Sequence, residues 1–200
     1  MFWILAAASL LSTPKPIGYE NWFSSRDTPD FAIGANWVVI ARALVRPDGS
    51  LQKCEIEAGS GNEPLDRLTC KLIARRARFS AARWIDGSPA YGVYRVPVTW
   101  VNGFDKPANE ADVVLSVRNL PEGIHSPAFA ALALAVDEKG KAVACEPYDQ
   151  TPQAPTSNGQ LVRVGCQYLM KSYVPKPATD DQGGPIPTVQ NATVRFDIER

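Results

Sequence analysis

The second half of this 200-residue chain repeats the first, and that repeat limits the possible folds more than any other feature. From Cys70 and Cys166 onward, CKLIARRARFSAARWIDGSPAYGVYRVPVTW and CQYLMKSYVPKPATDDQGGPIPTVQNATVRF align without a gap. Cys70 meets Cys166, Ala82 meets Ala178, Gly87 meets Gly183, Pro89 meets Pro185, Val93 meets Val189 and Val98 meets Val194, while Trp100 stands opposite Phe196. Upstream, Gly49 precedes Cys54 by five residues, as Gly140 precedes Cys145. Only the stretch between the paired cysteines differs in length, and its extra residues fall in Gln150 to Gly159, which has loop composition. A period of about 91 to 96 residues is far longer than a solenoid unit and predicts duplicated domains.

Each repeat reads strand, turn, strand, helix, loop, strand. In the first, Trp37 to Val45 and Leu51 to Glu57 form a hairpin around Pro47-Asp48-Gly49-Ser50, and Glu138-Lys139-Gly140-Lys141 is the matching turn of the second. Glu63 to Arg78 carries an apolar stripe of Leu65, Leu68, Leu72 and Ile73, with Asn62 as N-cap and arginines at the C-terminal end. Ala90 to Val101 is the closing strand. Gly165 falls inside the helix expected of the second repeat and weakens it. The expected fold class is α+β: two tandem small domains, each an antiparallel sheet of hairpin plus last strand with a helix packed on one face. Their boundaries are 18–103 and 112–200, with a linker over 104–111, where Asp105-Lys106-Pro107-Ala108-Asn109-Glu110 has linker composition.

The four cysteines sit at 54, 70, 145 and 166. Cys54 shares a strand face with Ile56, and Cys70 lies on the flank of the helix stripe, so a bridge would join strand to helix. Of the three pairings that four cysteines allow, Cys54 with Cys70 and Cys145 with Cys166 keeps each bond within one repeat. The first would close a loop of about 17 residues, worth about 3 kcal/mol in the chain-entropy model. No cysteines are paired closely in sequence and His125 is the one histidine, so a zinc site is not expected. Export suits this cysteine usage. Residues 1–14 read as a signal peptide: Met1 to Leu11 is apolar and too short to span a bilayer, and Ala6-x-Ala8 or Ser12 and Thr13 offer cleavage positions, although no Lys or Arg precedes the run. The alternative is a buried first strand.

The first repeat carries Val45-Arg46-Pro47-Asp48-Gly49, Ser60-Gly61, Leu65-Asp66, Arg76-Ala77-Arg78-Phe79, Ala82, Gly87 and Val96-Pro97-Val98-x-Trp100. In order and spacing this resembles the C-terminal domain of TonB energy transducers, over about residues 20 to 101. Trp22 and Asp27-Thr28-Pro29 are similar to the entry segment of its cysteine-bearing members. The second repeat matches that family loosely, through its match to the first. The resemblance implies a periplasmic domain that binds peptide segments of outer-membrane receptors by strand addition, with no cofactor and no catalysis. A full-length anchoring helix and a long Pro-rich spacer are lacking, so binding without coupling to an inner-membrane motor is expected, and no stable membrane span in the mature chain. The alternative is a secreted structural or inhibitor-like protein whose domains pair with each other.

Signals for other chemistry are weak. Formal net charge is zero, which gives no field to attract nucleic acid. At 45% hydrophobic there is material for a core, so the aromatic residues Trp84, Trp100, Tyr91 and Tyr94 read as core and strand positions. Gly59-Ser60-Gly61 lacks the glycine that a nucleophile elbow needs, where Ala58 stands. His125 lies in a loop-like Pro-Glu-Gly-Ile-His-Ser-Pro, and Asp180-Asp181 beside Gln-Gly-Gly reads as a solvated turn. Arg67, Lys71, Arg75 and Arg78 read as a solvated helix face.

The free edge is expected in the second repeat. Pro97 has no N–H and should turn outward from an edge strand, unless it marks a bulge. In the gapless register Thr193 takes that position with its N–H intact, and Asn191, Thr193 and Arg195 line the edge to which a partner strand would add.

Overall fold

The computed structural model describes residues 10–33, 36–100, 111–148 and 158–199. The leader-like residues 1–9 and nearly all of the expected linker lie outside them. The first half runs β1 (Lys15–Ile17), three short 3-10 turns between Tyr19 and Ala32, β2 (Trp37–Val45), β3 (Leu51–Ala58), α1 (Glu63–Arg76), β4 (Arg78–Ser80), β5 (Ala82–Arg83), β6 (Pro89–Ala90) and β7 (Gly92–Trp100). The second runs β8 (Val113–Val117), β9 (Ala128–Val136), β10 (Ala142–Pro147), α2 (Gly159–Ser172), β11 (Ala178–Thr179), β12 (Pro185–Ile186) and β13 (Thr188–Ile198). This is a mixed α+β structure, mostly β-sheet with two helices.

Corresponding turns are built alike. Arg46 N–H donates to Ser50 C=O as Asp137 N–H does to Lys141 C=O, and Trp84 N–H donates to Ser88 C=O as Asp180 N–H does to Gly184 C=O. Gly49 adopts φ 84°, and a Cβ there would also strike the carbonyl of Phe79. Asn62 caps α1 by accepting from Leu65 N–H at 3.2 Å. The helix stops at Arg76, two residues short of the sequence expectation, because Ala77 turns extended and Arg78 to Ser80 pair with β1 while Phe79 enters the core.

The halves are not separate sheets. Strand order is β10-β9-β13-β7-β2-β3, with β8 beside β13. The two last strands meet in parallel, Val189 opposite Gly92 and Gln190 opposite Val93. Val96, Val98 and Trp100 face the α1 core, so Gly92 does too by alternation. Ala192, Val194 and Phe196 face the α2 core, so Val189, of opposite parity, turns away from α2. Paired residues share a face, and the two helices therefore cover opposite faces of one sheet.

That arrangement lets the segment after each helix cross onto the other half. Ala82 and Ala90 pack with Ala133, Ala135 and Val189. Ala178 packs with Leu44 and Val93. Leu11 is buried in the first of these joints, Ser12 exchanges backbone bonds with Arg83, and Leu10 N–H donates to Ile85 C=O. Residues 10–14, the end of the segment read as a leader in the sequence, thus lie against the fold, and the rest of that segment lies outside the described residues.

Each helix has its own bridge to a strand, Cys54–Cys70 and Cys145–Cys166, with Cα atoms 5.6 and 5.5 Å apart. The two cores fill the same space differently. In the first, Trp100 Nε1 donates to the Thr69 hydroxyl at 3.0 Å, beside Ala41 and Ala43. In the second, Phe196 has no N–H to satisfy, Leu132 and Leu134 replace the alanines, and Gly165 replaces Thr69. A Cβ on Gly165 would lie 2.9 Å from Leu132 Cδ1, which explains a glycine inside α2.

Candidate functional site

The site expected from sequence is an unpaired edge at Asn191, Thr193 and Arg195. The structure corrects this, because β13 is an interior strand. Antiparallel β9 pairs with it throughout, with Asn191 opposite Ala133, Thr193 opposite Ala131 and Arg195 opposite Phe129. On the other side, β7 covers its start and β8 its end, where Arg195 meets Val114. Thr193 N–H does turn away from β9, as the register from Pro97 requires, but it donates to Asp112 Oδ2 at 2.6 Å, and Asp112 N–H donates back to Thr193 C=O at 2.8 Å. The same place in β7 is closed by Tyr19, whose hydroxyl donates to Pro97 C=O at 2.9 Å. Each half thus covers its own last strand with a residue from its entry segment. The half with a proline needs only a donor; the half with a threonine needs an acceptor as well, and a carboxylate supplies it.

Asp112 sits where β7 and β13 diverge. Its side chain is 9% exposed and 3.2 Å from Arg95 Nη1, while Arg95 Nε bonds Glu57 at 3.1 Å. Burial raises the Asp112 pKa despite the Thr193 N–H and Arg95. Burial likewise pushes nearby Tyr173 up to about 12.

The outer strands of the sheet are β10 and β3, and among the described residues no strand pairs with the far side of either. β10 is six residues long, is interrupted by a bulge between Ala142 and Ala144, and ends in Pro147. Tyr148 N–H points inward to Ala131 C=O, so Pro147 occupies an outward position without an N–H. These are protective features of an edge. β3 is longer and contains no proline. Val189 N–H donates to Tyr91 C=O and Tyr19 donates to Pro97 C=O, so odd-numbered residues of β7 point away from β2. With Ile40 opposite Pro97, Ile40, Arg42 and Leu44 then turn their backbone groups toward β3, and Arg42–Glu55 and Leu44–Lys53 are the bonded pairs. Cys54 and Ile56 are left with N–H and C=O directed outward.

Side chains of β3 alternate between α1, where Cys54 is bridged to Cys70, and the opposite face, where Lys53, Glu55 and Glu57 form a row. Behind that row Arg42 is buried, donating to Lys176 C=O at 2.7 Å and lying 3.7 Å from Glu55. Lys53 Nζ is 2.6 Å and Lys176 Nζ 3.4 Å from the same carboxylate. These cations, Lys53 foremost, hold the Glu55 pKa below its ordinary value. A cavity of about 90 Å³ opens between Arg42, Lys53, Glu55, Lys176 and Thr179. No family model matches the chain, and neither does any curated protein or solved structure.

The remaining sequence signals are placed as follows. His125 is exposed beside a cavity of about 200 Å³ lined by Ile124, Phe129 and Leu161, with no carboxylate among the described residues of its wall. Asp180 accepts from Gln182 and Gly184 N–H and organises its turn, but Asp181, read as solvated, reaches the first half through Arg46 at 2.9 Å and Gln52 at 2.9 Å. Arg67 pairs with Glu63, and Arg78 lies beyond α1 on β4. Trp100 is buried, Tyr94 packs on the first core, and Trp84 and Tyr91 pack on the joints between halves. Among the described residues, no three His, Cys, Asp or Glu side chains are grouped to hold a metal ion. Sequence reasoning missed Asp112 and β3. Outward-facing Cys54 and Ile56 were derivable from Pro97 by alternation across two strands, but Asp112 lies 81 residues from Thr193 and has no local signal.

Proposed function

We propose that this chain is an exported, non-enzymatic interaction protein that accepts an extended partner segment on the outer edge of β3, in the way its resemblance to TonB C-terminal domains implies, with outer-membrane receptor peptides as the partner class. We read its halves as TonB-like repeats, the second divergent. The observation that carries the proposal is the outward, strand-free backbone of Cys54 and Ile56. The Cys54–Cys70 bridge fastens that edge to α1, so little order is lost when a strand docks. Two bridges suit an oxidising compartment, and among the described residues no helix is long and apolar enough to cross a membrane.

A second reading, a structural or inhibitor-like secreted protein with no transport role, is favoured by the parallel pairing of β7 with β13 and by the filling of the β13 edge by Asp112 and β8. The test is retention of outer-membrane proteins on the immobilised chain, compared with Ile56→Pro. That substitution removes an outward N–H without breaking the bond pattern to β2, and circular dichroism should confirm the fold. Proteins retained by the parent should be lost. Equal retention by both would refute the β3 edge, and retention by neither would favour the second reading.

A further inference from the structure

We infer that the β3 edge takes a second copy of this chain, antiparallel, with the two-fold axis between the two Cys54 residues. The inference rests on the reading of β3 as an accepting edge and names a strand that fits it. Bulges at both ends of the β2–β3 ladder, between Ile40 and Ala41 and between Leu44 and Val45, leave a regular stretch from Lys53 to Ile56. In an antiparallel pair, residues with outward backbone groups must face each other. Cys54 opposite Cys54 of the second copy satisfies this and fixes the rest of the register: Lys53 falls opposite Glu55, and Glu55 opposite Lys53. Lys53 and Glu55 of each strand then form a square of alternating charge.

That charge pattern selects among occupants. Lysine on an exposed strand normally discourages pairing. Here Lys53 is half-exposed and shares a single carboxylate, Glu55, with Lys176 and Arg42. Cations outnumber carboxylates around Glu55, and a second Glu55 supplies what the cluster lacks. Shifting the register by two residues, with Cys54 facing Ile56, would set Glu55 against Glu55, and shifting it by four, with Ile56 facing Ile56, would set Glu55 against Glu57, both unfavourable. Glu57 keeps its own partner Arg95 in the favoured register. One helical turn either side of Cys70, α1 carries Asp66 and Ala74, and Arg67 is paired with Glu63.

Sedimentation velocity over a concentration series tests the pairing. The parent should show a monomer–dimer equilibrium, and Lys53→Glu, which makes the square uniformly acidic at a surface position, should weaken it at least about ten-fold. Register is read separately by mixing Lys53→Cys chains with Glu55→Cys chains under mild oxidation: the mixture should give a disulfide-linked dimer on a non-reducing gel and neither variant alone should. A parent that stays monomeric at every concentration, or a dimer indifferent to Lys53→Glu, overturns the inference. If the parent is monomeric yet Ile56→Pro still abolishes retention of outer-membrane proteins, the accepting edge stands and self-pairing falls. If the dimer forms and retention is unaffected by Ile56→Pro, self-pairing stands and the foreign strand falls.

Discussion

Replacing Asp112 in two ways separates its role as an acceptor from its role as a charge. Asp112→Ala leaves Thr193 N–H with no acceptor in a place where water is excluded, at a cost of about 1–3 kcal/mol. Asp112→Asn keeps an oxygen where Thr193 can donate, and Arg95 keeps Glu57. A raised carboxyl pKa means that the folded state favours the neutral form more than water does, even with Arg95 at 3.2 Å, so the amide should lie within about 1 kcal/mol of the parent. The pH dependence follows in sign. In the window between its unfolded and its raised folded pKa, the native state binds the extra proton, so this group makes stability rise as pH falls and decline as pH rises through the folded value. Urea unfolding followed by tryptophan fluorescence, at pH 7 and at steps down to pH 4, reads both effects. Asp112→Asn should lose that component of the pH slope while remaining near parental stability at pH 7. If Asp112→Asn proves as damaging as Asp112→Ala, the ion pair with Arg95 dominates and the burial argument is wrong.

Gly165→Ala should destabilise by about 1–3 kcal/mol in thermal or urea unfolding although alanine favours helices, because the new methyl meets Leu132; Leu132→Ala, costly by itself at a fully buried position, should cost less in the Gly165→Ala background than in the parent. Asp27 is held to about 2 from an ordinary 3.8, first by its hydrogen bond from Arg76, so its contribution to stability is present above the ordinary value and lost as pH falls through about 2. An acid titration of Asp27→Asn should show a shallower decline in that window, and an unchanged curve would dismiss the Arg76 contact as a source of stability.

Much of each half was legible because its signals are local. Gly49 and Gly140 mark the hairpin turns, Asn62 marks the start of α1, and Pro97 marks an outward-facing position. Alternation tells which way a backbone N–H points, and Thr193 N–H does point away from β9. It does not tell what stands there, since Asp112 and β8 arrive from far along the chain. The same limit hid the joint between the halves: Val189 and Gly92 carry no mark of their pairing, and Leu11, apolar and near the start, has the composition of a leader although it is buried against Ala133 and Ala135. Gly165 shows the converse, a residue that argues locally against a helix and is required there by a neighbouring strand.

The rotation that places α1 and α2 on opposite faces is the symmetry of a dimer written into one polypeptide. In a dimer of identical subunits every substitution appears twice, so a buried arginine introduced on one side must also be accommodated on the other. Once the halves are joined, each position can change alone. Arg42 grips the backbone of the second half, whereas the position that matches it, Ala133, is covered by the strap carrying Leu11. Joined halves can therefore differ face by face: around Ala133 the sheet is covered by apolar packing, whereas at Arg42 it carries charge that continues through Glu55 to Lys53 at the rim.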